Sequence, residues 1–428
     1  MSDIIVVGAG LAGLCAARTL QRAGRRVRVL EKTGHLGGRV WTRQHHGYTM
    51  DAGFLGMFTA YPAAQRQLDY GALKLVPLLP SAVLRQEGGR AEIVGDPRRD
   101  LGALPGDLTA QALTLRDRLL AGKLVAELLT QAPHVWLNGP SQPTREFLLE
   151  YGFSPRSLER FFTPFFGGLV LDRALMTCSG LFKYYFSLLV RGDVAIPAGG
   201  MSEIPRQLAR ELEVQLETVV SRIDACEEGV TIHTDQGSLQ AGTVIVATDP
   251  PTAARLLGEG HAPARPIDRG SLGSTYLHYG VDRQLERQPR LQLNALPDGH
   301  LNQVFWTGQV FPGRVPAGHD LLIASLWGIP DGTDTDLDTR TRAELRVWLG
   351  DRVNQLNLLH VERIRHTQYP QPAGYAHTLP GQSGGHPRLY LASEVTSLSG
   401  IQGALESGEK AAAAILGDVQ VLSRPRGA

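Results

Sequence analysis

The first thirty residues of the chain contain the feature that most constrains its fold. Ile4-Ile5-Val6-Val7 is a short β-branched run that stops at a glycine, as is typical of a strand buried on both faces. Gly8-Ala9-Gly10-Leu11-Ala12-Gly13 follows and opens a segment with apolar residues at helical spacing. A second strand over Val27–Leu30 ends at Glu31. This order of strand, glycine turn, helix, strand and acid predicts a βαβ unit.

Each part of this unit has a task in binding a dinucleotide. Gly8 permits the tight turn, Gly10 lets the backbone approach a pyrophosphate, and Gly13 allows the helix to pack closely on the strand. The start of the helix, at Leu11 and Ala12, offers unpaired N–H groups and the positive end of the helix dipole to the phosphates. We therefore expect a dinucleotide at this turn.

An acid and a base stand together at the end of the second strand. Glu31 can accept hydrogen bonds from both ribose hydroxyls of a nucleotide, and its charge repels a 2′-phosphate, which disfavours NADP. Lys32 follows directly and is a further candidate contact with the cofactor. Both NAD and FAD carry an adenosine ribose, so this segment leaves the two cofactors open.

A second group of glycines favours FAD. Gly37-Gly38-Arg39-Val40 combines a flexible loop with a cation, and Asp51-Ala52-Gly53-Phe54 follows. With the first turn and Glu31, these segments resemble the FAD-binding fingerprint of the amine oxidase, phytoene desaturase and protoporphyrinogen oxidase superfamily. The resemblance implies that Gly38 and Arg39 lie at the phosphates, and that Gly53 and Phe54 pass beside the isoalloxazine ring.

The C-terminal part of the chain resembles the other half of the same cofactor site. A short strand, Leu389-Tyr390-Leu391-Ala392, precedes Ser393-Glu394, and Gly400-Ile401-Gln402-Gly403-Ala404 then opens a helix. In the superfamily the acid binds the ribityl chain, and the helix start, here Gly400, Ile401 and Ala404, faces the flavin C2 carbonyl. Ser-Glu replaces the usual Gly-Asp, which shifts the acceptor by one methylene. An NAD-only enzyme would not be expected to carry this second half.

The middle of the chain supplies a third part of the resemblance. A helical stretch after Gly199-Gly200 is expected to end near Glu213, followed by a hairpin-like pair, Gly229 to His233 and Gly237 to Ala241. In the superfamily a valine like Val219 contacts adenine through its backbone. The likeness covers residues 1–60, 195–250 and 385–420.

The resemblance implies an α/β fold with a two-dinucleotide-binding FAD domain, built on a doubly wound sheet, and an inserted α+β substrate domain. We assign residues 1–70, 193–254 and 376–428 to the FAD domain. Residues 71–192 and 255–375 then form the discontinuous substrate domain.

The composition of the chain excludes several other classes of protein. Its 43 basic and 42 acidic residues give a net charge of +1, which provides no footprint for nucleic acid. Cys15, Cys178 and Cys226 are far apart, so we expect neither a disulfide framework nor a cysteine zinc site, and a cytoplasmic location fits. No histidine spacing indicates a metal site. We expect no metal, because the flavin itself would carry the chemistry.

The predicted substrate domain is rich in aromatic residues. Phe161-Phe162-Thr163-Pro164-Phe165-Phe166-Gly167-Gly168 forms a cluster, with Phe182, Tyr184, Tyr185 and Phe186 close behind. These side chains could line a tunnel for a long hydrophobic substrate or simply pack a core. An amphipathic patch in this domain could also touch a membrane peripherally, which would suit a lipid-soluble substrate.

Three substrate classes compete within the superfamily. Flavin amine oxidases usually carry a lysine near the flavin from the second half of the chain and an aromatic near the C-terminal loop. This chain has no lysine between Lys183 and Lys410, and its loop from Ser393 to Ser399 has no aromatic residue. Phe165-Phe166-Gly167-Gly168 and Leu171-Asp172-Arg173 are closest to phytoene desaturase-related oxidoreductases, so we favour hydride abstraction from a carotenoid or related polyene. Protoporphyrinogen or amine oxidation, a flavin redox sensor and an NAD dehydrogenase remain the alternatives.

Overall fold

A computed structural model describes residues 4–53, 56–96, 99–258, 265–286 and 290–417. The strands of these ranges are β1 Ile4–Val7, β2 Val27–Leu30, β3 Thr42–His45, β4 Tyr48–Asp51, β5 Met57–Phe58, β6 Leu75–Pro77, β7 Ser81–Arg85, β8 Ala91–Gly95, β9 Val194–Pro197, β10 Glu213–Gln215, β11 Val220–Ala225, β12 Val230–Thr234, β13 Gly237–Ala241, β14 Thr243–Val246, β15 Leu272–Val281, β16 Leu291–Asn294, β17 Leu301–Trp306, β18 Asp320–Trp327, β19 Asn357–Gln368 and β20 Leu389–Leu391.

The helices of the same ranges are α1 Leu11–Arg22, α2 Pro62–Gln67, α3 Tyr70–Leu73, α4 Leu104–Thr109, α5 Leu115–Leu129, α6 Thr144–Tyr151, α7 Pro155–Ser157, α8 Gly168–Val170, α9 Ser179–Arg191, α10 Glu203–Ala209, α11 Pro250–Leu257, α12 Asp334–Leu349 and α13 Ile401–Leu416. A π-helix over Leu158–Gly167 connects α7 to α8.

A five-stranded parallel sheet joins the two ends of the chain. Its order is β10-β2-β1-β14-β20, and Ile4 pairs with both Val27 and Thr243. All four residues of β1 are buried, because helices and loops cover both faces of a parallel sheet. The predicted βαβ unit and the C-terminal strand thus belong to one sheet, and the α/β class is confirmed.

Helices α1 and α13 pack side by side on this sheet. A Cβ added to Gly408 of α13 would lie 2.4 Å from the carbonyl oxygen of Ala12, so only glycine allows this close approach. Each helix follows the carboxyl end of its strand, α1 after β1 and α13 after β20. The two helix N-termini therefore lie at the same edge of the sheet, where ligands bind in open α/β folds.

A mixed seven-stranded sheet has the order β19-β15-β18-β17-β16-β7-β8. Strands β7 and β8 lie between residues 81 and 95, and the other five lie between residues 272 and 368. Helix α12 packs on one face, where Leu277 and Tyr279 of β15 join Leu345 and Trp348 in one apolar cluster. The opposite face of β15 carries Tyr276, which packs with residues of β4.

The structure corrects one detail of the predicted central segment. The helix after Gly200 ends at Ala209, and Glu213 lies in strand β10 of the parallel sheet. Between β10 and β11, Glu217 adopts a left-handed conformation with φ of 51°. The hairpin of β12 and β13 has the predicted bounds to within one residue.

The aromatic cluster forms part of the main core. Phe162, Phe166 and Phe182 are almost completely buried, with their rings in edge contacts at 4.9–5.9 Å between centroids. Pro164 lies inside the π-helix, where its missing N–H and its ring disfavour regular α-helical hydrogen bonding. Packing, the simpler of the two interpretations, thus accounts for the most buried rings of the cluster.

Candidate functional site

A cavity of about 540 Å³ opens at the carboxyl edge of the parallel sheet. Eleven of the predicted cofactor contacts line it: Gly8, Gly10, Leu11, Ala12, Glu31, Lys32, Gly38, Arg39, Val219, Glu394 and Ala404. These residues come from both ends and the middle of the chain, which the sheet order brings together. The cavity lies where a dinucleotide is bound in open α/β sheets.

The glycines of the first turn and of the Gly-Gly-Arg loop divide into two groups. A Cβ added to Gly10 would meet no atom within 4 Å, and at Gly38 it would meet only the Cα of Gly10 at 3.6 Å. A Cβ on Gly13 would lie 2.1 Å from the carbonyl oxygen of Gly8, and one on Gly8 would lie 2.6 Å from that of Ala247. Gly10 and Gly38 therefore face open space at the cavity, whereas Gly8 and Gly13 permit close packing of the protein on itself.

The Glu31 carboxylate is buried and held in a fixed orientation. Its Oε2 accepts a hydrogen bond from the N–H of Ala9 at 2.8 Å, and its Oε1 accepts from the N–H and the hydroxyl of Thr33, both at 2.9 Å. A carboxylate has about four lone-pair directions, so acceptor capacity remains toward the cavity. The donors fix the position of the charge without neutralising it.

Arg39 and Glu394 form an ion pair across the cavity. Arg39 Nη1 lies 2.7 Å from Glu394 Oε1 and also donates to the carbonyl oxygens of His366 and Thr367 at 2.7 Å. The other oxygen of Glu394 accepts from the hydroxyl of Ser399 at 2.8 Å and from the N–H of Gly400 at 3.2 Å. The acid thus connects the start of α13 to the cation of the Gly-Gly-Arg loop.

The backbone of Val219, predicted to contact adenine, already has partners within the protein. Its N–H donates to the Asp235 carboxylate at 3.0 Å, and its carbonyl accepts the N–H of Asp235 at 3.1 Å. The N–H of Val219 is therefore used, while its carbonyl oxygen keeps a second lone pair and the predicted backbone contact stays a prediction. The Val219 side chain is exposed and lines the cavity, so it also offers an apolar surface.

Four predicted residues do not line this cavity. Gly13 lies beneath the turn, while Gly400 and Ile401 start α13. A Cβ on Gly53, whose φ is 88°, would lie 2.8 Å from a ring carbon of Tyr276 and 2.6 Å from Cδ1 of Ile364. The mixed sheet therefore contacts the chain at Gly53. Phe54 lies outside the described residues.

Sequence reasoning missed the contribution of β19 to the cavity. Glu362, Arg363, Ile364, Arg365 and His366 all line it, as do Trp41 and Arg255. Nothing in the sequence marks consecutive residues of a long strand as cavity-lining, because that depends on how the two sheets meet. Trp41 directly follows the Gly-Gly-Arg-Val segment, and this position beside a predicted phosphate contact could have indicated that Trp41 lines the cavity.

The residues around this cavity fit a dinucleotide with a flavin. The pyrophosphate needs donors and positive charge, and the start of α1 and Arg39 provide both. No acidic residue occupies the first turn of α1. The open space at Gly10 and Gly38 would be filled by any side chain, so the cradle itself depends on glycine. Glu31 and Glu394 offer acceptors for the hydroxyls of ribose and ribityl groups.

A second gap, of only about 10 Å³ and thus no larger than a single water molecule needs, lies among aromatic side chains. Phe58, Phe161, Phe162, Phe165, Phe166, Leu169, Phe182, Tyr185, Phe186 and Leu189 line it. Its only polar side-chain group is the Tyr185 hydroxyl, which donates to the carbonyl oxygen of Ser399 at 2.9 Å. A Cβ on Gly400 would lie 3.8 Å from that hydroxyl. The gap therefore adjoins the start of α13.

The fold brings tyrosines to the C-terminal loop. Besides Tyr185, the hydroxyl of Tyr369 donates to the carbonyl oxygen of Ser397 at 2.6 Å. The loop itself contains no aromatic residue, but its surroundings do, which weakens one of the two sequence arguments against amine oxidation. Burial raises the pKa of Tyr185 and Tyr369 well above the ordinary value, so both are neutral donors.

Buried polar contacts join the two-stranded sheet of β3 and β4 to the mixed sheet behind Gly53. Asp51 pairs with Arg314 at 2.8 Å, and the carbonyl oxygen of Asp51 lies 3.1 Å from Nε2 of His278 on β15. Burial lowers the pKa of His278 from 6.5 to about 4. The imidazole is thus neutral at pH 7 and donates to Asp51, which ties β15 to the end of β4.

Two further features bear on the class of site. In the ranges that the structure covers, no three His, Cys, Asp or Glu side chains are grouped so as to hold a metal ion. Within the same ranges, every helix is too short or too polar to cross a bilayer.

The fold and the cavity define a protein that binds a dinucleotide cofactor at the edge of a parallel sheet. The chain matches the family described as flavin containing amine oxidoreductase over residues 11–416. It therefore belongs to this family, whose members carry a flavin.

Similar proteins have different substrates in their names. The chain is 30% identical over 288 residues to a putative flavin-containing monoamine oxidase of Mycobacterium tuberculosis, covering 62% of this chain and 60% of that protein. It is 28% identical over 317 residues to a phytoene dehydrogenase of Streptomyces griseus, covering 66% and 61%. A putrescine oxidase of Kocuria rosea is 29% identical over 294 residues, covering 61% and 59%. The chain thus spans about 60% of the length of the curated relatives it matches.

Solved structures share the whole fold. A putative protoporphyrinogen oxidase from Exiguobacterium sp. 255-15 matches with a TM-score of 0.73 and 20% identity, covering 96% of this chain and 98% of that one. Putrescine oxidase with bound putrescine matches with a TM-score of 0.72 and 17% identity, covering 97% and 99%. At such identities the likeness establishes the fold alone.

Proposed function

We propose that the protein uses FAD to abstract hydride from a C–H bond of an apolar substrate, most closely a polyene as in the phytoene dehydrogenase relative. The observation that carries this proposal is the lining of the aromatic gap. All ten lining residues are Phe, Tyr or Leu, and the one hydroxyl among them is already paired with Ser399. An ammonium group or a porphyrin carboxylate would lose its hydration there without gaining a partner.

The cofactor contacts are part of the same proposal. Glu31 would accept from the ribose hydroxyls, and the start of α1 with Gly10, Gly38 and Arg39 would hold the pyrophosphate. Glu394 would reach the ribityl chain while it keeps its bonds to Ser399 and Gly400. The proposed roles agree with the charges of these groups and with the open space beside them. Lys32 and the Val219 side chain would flank the adenosine.

The proposed domain division follows from the same arrangement. Residues 1–70, 193–254 and 376–428 would form the FAD domain, and residues 71–192 and 255–375 the substrate domain. Gly53 would pass beside the ring, where Tyr276 and Ile364 of the second sheet already contact it. The flavin ring would then lie between the cavity at the edge of the parallel sheet, here called the polar cavity, and the gap lined by aromatic side chains, here called the aromatic gap.

When bound, FAD supplies the acceptor for the hydride. The residues of the chain position the substrate and exclude water. The aromatic rings would orient a flat apolar molecule and keep the reacting C–H bond in a dry environment. The N-terminal end of α13 would stabilise negative charge on a reduced cofactor, because the helix dipole is positive there. The hydride step itself needs no acid or base, and the cation that it leaves would form the new double bond by losing a proton from the adjacent carbon to solvent water.

Amine oxidation is the second candidate, since Tyr185 and Tyr369 contact the loop before Gly400. The lysines do not support it. Lys32 lies at the Glu31 end of the cavity, and Lys74 and Lys123 are on the surface. Lys183 lies 4.2 Å from the ring centroid of Phe147, and Lys410 pairs with Glu406.

Anaerobic spectroscopy of the purified protein tests the proposal. The flavin absorbance near its visible maximum would be followed while a polyene in micelles, a porphyrinogen and a panel of amines are added in turn. We expect bleaching with the polyene alone. Bleaching by an amine or the porphyrinogen, with none by the polyene, would replace the proposed substrate class. If none of these compounds reduces the flavin, the result would favour the interpretation of the protein as a redox sensor.

A further inference from the structure

Helix α5 presents an apolar stripe to solvent. Leu115 is 74% exposed, Leu119 is 68% exposed and Leu129 is 44% exposed. With Gly122 and Ala126, which are also exposed, these residues recur at alternating spacings of four and three. That spacing places them on one side of the helix over its whole length. Side chains as large as leucine are rarely exposed in such a row without a partner surface.

The orientation of this helix is fixed by its opposite side. Leu124 and Leu128 are buried in the main core. At the N-terminus, Thr114 and Asp117 form a reciprocal capping box. Asp117 also accepts the N–H and the hydroxyl of Ser154, both at 2.8 Å. The leucine stripe therefore cannot rotate into the protein.

Helix α5 carries three cations and two acids, a positive excess of one charge. Arg116, Arg118 and Lys123 belong to the helix, and Arg116 and Lys123 are exposed. Of its two acids, Asp117 is fully buried, and Glu127 lies 3.6 Å from Lys123. A leucine face edged by the exposed Arg116 and Lys123 is complementary to a bilayer with anionic headgroups.

The helix lies directly behind the aromatic gap. Arg191, at the end of α9, donates to the carbonyl oxygens of Leu129 at 3.1 Å and Gln131 at 2.7 Å, at the end of α5. Helix α9 also carries Tyr185 and Phe186, which line the gap. One helix layer thus separates the exposed stripe from the residues around the proposed substrate site.

We propose that the apolar face of α5 docks on the surface of an anionic bilayer. Leu115, Leu119 and Leu129 enter the interface, and Arg116 and Lys123 lie among the headgroups. This inference deepens the proposed function, because an apolar substrate would then come from the lipid phase. The helix is too short to cross the bilayer, so the contact is peripheral.

Vesicle sedimentation of the FAD-loaded full chain, without any substrate, tests this surface. We expect binding to vesicles of phosphatidylcholine with phosphatidylglycerol and much weaker binding to phosphatidylcholine alone. The double variant Leu115→Ser, Leu119→Ser should bind the anionic vesicles at least about tenfold more weakly, since two large apolar side chains no longer enter the interface. Arg116→Glu with Lys123→Glu should remove the preference for anionic lipid.

Val347→Ser is the matched control, because Val347 is 48% exposed on the remote helix α12 and should leave binding unchanged. Retained FAD absorbance and an unchanged melting temperature would show that each variant is folded. The proposal is overturned if the wild type ignores both vesicles, or if the leucine variant binds as the wild type does. It is also overturned if the stripe instead drives dimer formation in light scattering. Since the assay contains no substrate, a wrong substrate class would not affect it.

Discussion

The two cavities of this protein differ in almost every physical property. The first, at the edge of the parallel sheet, is lined by glycines, carboxylates and cations that come from both ends and the middle of the chain. The second is lined by phenylalanine, tyrosine and leucine, mostly from the π-helix and α9. The first has the volume, charges and open backbone that a dinucleotide requires, whereas the second has an apolar lining around only about 10 Å³ of free space.

The comparison shows how differently the two sites depend on particular residues. In the polar cavity a single group has a single task, such as the open space at Gly10 or the acceptor at Glu31. In the aromatic gap several rings share one task, and the same rings support the core. Substitutions should therefore affect cofactor affinity at the first site and protein stability at the second.

The largest expected effect is on stability, at the aromatic gap. Phe182 is 1% exposed and contacts four other phenylalanine rings. Phe182→Ala should lower the free energy of unfolding by about 3–5 kcal/mol, because it leaves a cavity in the core. Urea unfolding of the apoprotein would measure this. Phe186→Ala, at a half-buried ring, should cost less, and an equal cost for both would argue against a tightly packed gap.

In the cavity at the edge of the parallel sheet, we expect a substitution to lower cofactor affinity and to leave stability almost unchanged. Gly10→Val should weaken FAD binding by at least about a hundredfold, or roughly 3 kcal/mol, because its side chain would fill the space at the phosphates. The stability of the apoprotein should hardly change, since no protein atom lies within 4 Å of the added Cβ. Fluorescence titration with FAD measures the affinity.

Gly381→Val is the control for this change, as it also adds a side chain into open space, on a loop that does not line the cavity. Normal FAD affinity of the Gly10→Val variant would contradict the placement of the pyrophosphate at this turn. Loss of affinity in both variants would indicate a general effect of valine.

The contact between β15 of the mixed sheet and the end of β4 should respond to pH. The pKa of His278 is lowered to about 4 in the folded protein, from 6.5 when exposed. Between these values the unfolded state binds the proton and the folded state does not, so stability falls as the pH decreases. From pH 7 to pH 5 this residue should account for a loss of roughly 2 kcal/mol. His278→Gln should show a smaller loss, whereas His45→Gln, at an exposed position, should behave as the wild type.

The smallest effect is expected at the ribose end of the polar cavity. Glu31→Ala should weaken FAD binding by about tenfold, equal to roughly 1.4 kcal/mol, because the ribose hydroxyls lose their acceptor. The exposed Glu213, on the neighbouring strand β10, provides the control as Glu213→Ala. Equal affinity of the Glu31 variant and the wild type would count against this assignment.

The sequence predicted the polar cavity far better than the aromatic gap. Glycine spacing, a terminal acid and buried β-branched strands have local causes, so β1, α1, β2 and the positions of Glu31 and Arg39 could be derived from short segments. The contribution of Glu394 to the site was predicted only from the family resemblance, because no local sequence pattern links Glu394 to the glycine turn at the start of the chain.

Other features depend on tertiary contacts and could not be derived. The contribution of β19 to the cavity depends on how the mixed sheet meets Gly53. The pairing of Val219 with Asp235 depends on an irregular start of β11. The tyrosines that contact the C-terminal loop come from α9 and from just after β19, and no local sequence pattern predicts that these two segments contact the loop.

The central claim is that the polar cavity holds one FAD without a covalent bond. The most direct measurement is to denature the purified protein in acid, remove the precipitate and determine the flavin in the supernatant. We expect one FAD per chain in solution, no flavin in the precipitate, and rebinding of FAD but not of FMN, which lacks the adenosine half, by the refolded apoprotein. A protein without flavin that takes up neither cofactor, or a flavin that stays with the precipitate, would contradict the account.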